Sequence, residues 1–100
     1  MVGHIVMWKL KERAEGRSAA ENAKIMKDML GALPGLIPEL RTLVVSTDIF
    51  ASAPETDVVL YTVFDSSEDL QVYQVHPEHK KCVTFVSAVA AERRVVDYVF

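Results

Sequence analysis

Two stretches of this chain are apolar on both alternating faces, and that limits how it can fold. Val2 to Leu10 reads VGHIVMWKL: Val2, Val6, Trp8 and Leu10 share one parity, and Ile5 and Met7 hold the other. Asp57 to Phe64 reads DVVLYTVF, with Val58, Leu60 and Thr62 set against Val59, Tyr61 and Val63. A strand with one wet face alternates apolar and polar residues. These strands do not, so both of their faces must be covered.

The helices supply one cover. Ser18 and Glu21 form an S-x-x-E capping box, a specific helix-start signal. From there Ala19, Ala23, Met26, Leu30 and Leu33 recur at helical spacing, and Pro34-Gly35 ends the run. Lys11 to Arg17 before it reads as a polar connection. A second strand is expected over Leu40 to Thr47, and the third is Asp57 to Phe64. Asp65 or Ser66 caps a short helix reaching Val75. Pro77 favours the first position of another, which carries Cys82, Phe85, Val86 and Val89 on one face and ends near Glu92. Arg93 to Phe100 closes the chain as a strand.

The expected order is β-α-β-β-α-α-β over a single domain, residues 1–100. It fits a split βαβ, ferredoxin-like α+β fold with a four-stranded antiparallel sheet and helices on one face only. The second apolar face then needs a partner, and a second copy packed sheet to sheet is the simplest.

Composition excludes several functions. The formal charge is −3, which argues against a nucleic-acid partner. No apolar run approaches the roughly 20 residues that span a bilayer, so no membrane partner is expected. The segment Met1-Val2-Gly3-His4 lacks the features of a signal peptide, and Cys82 is the one cysteine. The expected compartment is the cytoplasm. No glycine-rich phosphate loop and no C-x-x-C pair is present.

The chemistry rests on histidine. His4 lies on the first strand, and His76 and His79 lie in Tyr73-Gln74-Val75-His76-Pro77-Glu78-His79. Near a helix start and beside a buried stripe, His79 should stay neutral and serve as a general base. Tyr73, six residues earlier, offers a phenolic hydrogen bond to a substrate carbonyl. His4 shares parity with Val6 and Trp8 and would join the same interior. Val6, Trp8, Met26 and Val86 are the expected apolar pocket walls.

Each residue also has an ordinary reading. His76 caps a helix, His79 bonds a backbone carbonyl at the core edge, Tyr73 and Trp8 pack, and Cys82 is an inert buried thiol. A zinc or iron site built from His4, His76, Glu78 and His79 lacks the H-x-x-x-H spacing that places two imidazoles on one helix face. No metal and no cofactor are expected.

The chain resembles the stress-responsive A/B barrel domain (Dabb) family along its whole length. The resemblance is carried by His4-Ile5-Val6-Met7-Trp8-Lys9-Leu10, Leu33-Pro34-Gly35-Leu36, Asp57-Val58-Val59-Leu60-Tyr61, Tyr73 to His79, and Val95-Val96-Asp97-Tyr98. It implies a ferredoxin-like fold that dimerises through its sheets into a barrel, with larger assemblies in some members. In a plant branch of polyketide cyclases, the second histidine of H-P-x-H is the base and the tyrosine six residues before it holds a carbonyl. These match His79 and Tyr73, and a first-strand pocket histidine matches His4. The chain departs from that branch at Asn22, Ala23 and Met26, where those enzymes carry aromatic residues, and at Val58, where they carry histidine.

Three functions stay open at this point. The first is cofactor-free acid–base chemistry on a small apolar carbonyl compound. The second is a non-catalytic stress-response assembly. The third is a cofactor-free oxygenase or haem binder of the dimeric barrel type.

Overall fold

The computed structural model describes residues 1–100. Strands β1 (Val2–Leu10), β4 (Thr42–Ser46), β5 (Val58–Phe64) and β6 (Ala90–Val99) form one antiparallel sheet in the order β4-β5-β1-β6. Helices α1 (Ala19–Gly31), α2 (Ser67–Val75) and α3 (Pro77–Val89) cover one face of it. The fold is α+β and ferredoxin-like.

The capping box forms as the sequence requires. Ser18 Oγ accepts from the Glu21 amide at 3.2 Å, and Glu21 carboxylate accepts from the Ser18 amide at 3.0 Å. The second bond holds the Glu21 carboxyl below its ordinary pKa. The stripe of α1 then enters the core: Met26, Leu30 and Ala23 are buried against β1 and β5, where Val6, Trp8, Val58 and Leu60 face them.

Several boundaries differ from the sequence reading. The polar connection folds into a hairpin of β2 (Arg13–Ala14) and β3 (Arg17–Ser18), turned by Glu15 and Gly16 at φ of 53° and 74°. Asn22, fully buried, fastens it to α1 by donating to the Ala14 carbonyl at 3.0 Å and accepting from Arg17 Nε at 3.0 Å. Helix α1 ends at Gly31, and Leu33–Gly35 forms a separate 3-10 turn with Pro34 in its first turn. Helix α3 stops at Val89 and passes directly into β6 at Ala90, three residues before the expected strand start, because Ala90 already pairs with Leu10. Strand β4 is shorter than expected, Thr42–Ser46.

The outer face of the sheet is apolar and has no helix over it. Ile5 and Met7 of β1 lie between Val59, Tyr61 and Val63 of β5 on one side and Arg94, Val96 and Tyr98 of β6 on the other, Arg94 being the charged residue of this group. Val44 and Val96 are 56% and 52% exposed in the single chain. Gly3 lies under Tyr98, whose ring takes the space that a Cβ would fill.

Candidate functional site

The helical face of the sheet holds a cavity of about 170 Å³ between α3, β1 and the start of β6. His4, Trp8, Leu30, Leu60, Cys82 and Val86 line its inner part, and Gln74, His79, Val83, Ser87 and Arg93 complete it. Regular alternation of β1 places His4 and Trp8 on the same face, and α3 carries His79, Cys82 and Val86 at helical spacing.

His79 is half-buried. Its Nδ1 lies 3.1 Å from the Gln74 carbonyl oxygen, which can only accept, so Nδ1 carries the proton. Nε2 then keeps its lone pair. Burial pushes the His79 pKa below the ordinary 6.5, with His4, Arg93 and His76 acting in the same direction and the Gln74 bond opposing. A neutral imidazole with a free Nε2 has the form a general base needs. The backbone bond foreseen as the ordinary reading of His79 is therefore present, and it fixes the tautomer that the catalytic reading requires.

His4 is 3% exposed, and its Nδ1 bonds the Asp97 carboxylate. The two residues face each other across the β1–β6 ladder. That bond leaves Nε2 as the ring nitrogen of His4 without a protein partner. Thr62 Oγ1 donates to the His4 carbonyl at 2.8 Å and fixes the backbone beneath the ring.

Tyr73 is fully buried beside both imidazoles, with ring centroids 4.3 Å from His79 and 6.3 Å from His4. Its hydroxyl has no hydrogen-bond partner, and burial raises its pKa well above the ordinary tyrosine range. It remains a donor throughout the usual pH range. Tyr73 does not itself line the cavity; it stands behind the wall that His4, Cys82 and His79 form. Trp8 Nε1 is the other buried polar atom without a partner.

The structure thus brings together His4, His79, Trp8 and Val86 around one cavity, with Tyr73 in contact behind them. Val6 and Met26 are buried in the core but do not line the cavity. His76 caps α3, accepting from the Glu78 amide at 3.1 Å. No three His, Cys, Asp or Glu side chains gather to hold a metal ion. Asp97 and Arg93 were not singled out by sequence reasoning. No helix is long and apolar enough to cross a membrane.

The chain belongs to the stress-responsive A/B barrel domain family, which matches residues 2–100. No curated protein matches it in sequence. Among solved structures it is similar to a dimeric protein of unknown function and ferredoxin-like fold from Bacteroides fragilis, with a TM-score of 0.86, 28% identity, and coverage of 99% of this chain and 95% of that one. A dimeric ferredoxin-like protein of unknown function from Thermobifida fusca gives 0.83, 21%, 99% and 90%. A hydroxynitrile lyase from Passiflora edulis gives 0.80, 16%, 99% and 92%, a likeness of fold alone.

Proposed function

We propose that this member of the stress-responsive A/B barrel family is a homodimer whose protomers each bind a small carbonyl compound and move a proton at the carbon beside the carbonyl. The observation that carries the reading is His79: a half-buried imidazole on a cavity wall, with Nδ1–H tied to backbone and Nε2 unpartnered. In the proposed step the C–H bond breaks and an N–H bond forms at Nε2. The electron pair passes to the carbonyl oxygen as an enolate. The Tyr73 hydroxyl, buried without a partner behind the wall of His4, Cys82 and His79, would meet a ligand oxygen as those side chains part to admit it. Imidazolium His79 then returns the proton, so no oxidant or cofactor enters the balance. The cavity suits a single ring or a short chain, since an apolar cavity of about 150 Å³ holds benzene.

The dimer half of the reading is supported by the bare apolar sheet face and by dimeric solved relatives. Burying that face removes Val44, Val96 and their neighbours from water.

The test is hydrogen–deuterium exchange of the acetophenone methyl group in D2O, followed by proton NMR. Wild-type protein should accelerate exchange by roughly a hundredfold, and His79→Gln should return it to the buffer rate with the fold intact. Equal rates for the two proteins would refute the assignment.

A second reading is favoured by one observation. The cavity, about 170 Å³, is smaller than the roughly 300 Å³ at which ligand pockets usually begin. On that reading the dimer itself is the function and His79 packs. A concentration-dependent melting temperature fits both readings, so exchange activity separates them. A haem group would need far more space than this cavity offers.

A further inference from the structure

The polar groups of the cavity are unevenly matched. Arg93 is the one permanently charged side chain among its lining residues; it is exposed to solvent at the rim and makes no ion pair or side-chain hydrogen bond within the protein. Every other arginine except Arg94 has a hydrogen-bond partner: Arg13 bonds the Gly16 carbonyl, Arg17 bonds Asn22, and Arg41 pairs with Asp65. Arg94 points to the opposite face of the sheet, paired with Met7. Arg93 faces Trp8 directly across the β1–β6 ladder. Trp8 is 5% exposed, and its Nε1–H is buried without an acceptor. A buried donor left unmatched is costly, so such atoms are normally satisfied by something. No carboxylate lines the cavity. On a chain whose formal charge is −3, the one formal charge lining this cavity is thus a positive one.

We propose that the cavity selects carbonyl compounds that carry a carboxylate, with Arg93 as the specificity-determining cation and Trp8 Nε1–H as a second donor to the same group. This rests on the proposed ligand site above and names its substrate class. The guanidinium presents a planar fork that fits a carboxylate with two parallel bonds, which lysine cannot copy. Anchoring at Arg93 would hold the ligand by its acidic end and leave its carbonyl toward the imidazoles. Oxo acids with a single ring or a short chain fit both the charge and the volume.

Trp8 is the only tryptophan, so its indole N–H gives one cross-peak in a proton–nitrogen NMR spectrum. The experiment titrates the protein with phenylglyoxylate and, separately, with acetophenone, which has the same ring and carbonyl but no carboxylate. Phenylglyoxylate should bind about tenfold more tightly and move the indole proton downfield as the bond forms. Arg93→Leu should bring the two affinities to within about twofold of each other, and Arg93→Lys should restore only part of the preference. Equal affinities in the wild type, or a preference that survives Arg93→Leu, would overturn the inference and leave the ligand site standing. No response to either compound would remove both.

Discussion

The ring nitrogen Nδ1 of His79 donates to the carbonyl oxygen of Gln74 at 3.1 Å, bridging the break that His76-Pro77 makes between α2 and α3. One hydrogen bond thus joins two helices and decides which nitrogen of the base is free. It also makes a prediction about pH. Burial holds the folded pKa of His79 below the ordinary 6.5, so between those values the unfolded chain binds the proton that the folded chain refuses. The stability owed to neutral His79 is therefore full above pH 6.5 and is lost as the pH falls through the folded value. Melting temperatures from about pH 7 to about pH 5 should fall more steeply for the wild type than for His79→Gln. Parallel curves would show that His79 is not held neutral by the fold.

Tyr73→Phe separates packing from chemistry. The hydroxyl is buried and has no partner, so its removal deletes an unmatched polar group and leaves the ring against Phe64 and His79. Stability should stay level or rise by about 1 kcal/mol, measured by denaturant unfolding. Exchange activity should fall by at least about tenfold. A destabilised variant would mean that the hydroxyl is satisfied in solution, and full activity would remove Tyr73 from the reaction.

Asp97 is expected to act as a positioning residue for His4. Its carboxylate accepts from Nδ1, which fixes Nε2 as the free nitrogen. Asp97→Asn lets an amide N–H donate instead and favours the opposite tautomer. The His4 ring nitrogen signals should exchange roles in nitrogen NMR, and exchange activity should drop with an altered pH profile. Unchanged His4 signals would show that the pairing does not set the tautomer.

The apolar sheet face makes a prediction about assembly. Ile5 lies near the middle of that face, flanked by Tyr61 and Val96. Ile5→Glu would place a charge in the contact without touching the helical core. Sedimentation should show a dimer for the wild type and a monomer for the variant at micromolar concentration. Gly3→Val should act on the same face by expelling the Tyr98 ring from the space it fills. A dimer that survives Ile5→Glu would place the interface elsewhere.

The parts of this fold that were legible in the sequence are those set by local pattern. The two-sided strands, the Ser18–Glu21 box and the stripe from Ala23 to Leu30 each depend on residues within a turn or two of one another. The hairpin at Glu15 and Gly16 was not legible, because its strands are two residues each and a glutamate takes the positive φ usually left to asparagine or aspartate. His79 and Tyr73 were visible because one short segment holds both. Asp97 and Arg93 were not, since their meaning depends on the β1–β6 register: His4 and Asp97 are 93 residues apart. Val6 and Met26 lie on the expected faces, yet the cavity opens nearer α3, a matter of packing that parity does not determine.

The proposed chemistry depends on His79 being a neutral imidazole with the proton on Nδ1 and a free Nε2. Long-range proton–nitrogen NMR of the histidine rings, recorded against pH, tests it directly, since only three histidines are present. An Nδ1–H tautomer for His79 and a protonation midpoint below 6.5 are expected. An Nε2–H tautomer, or a midpoint at or above that value, would contradict it.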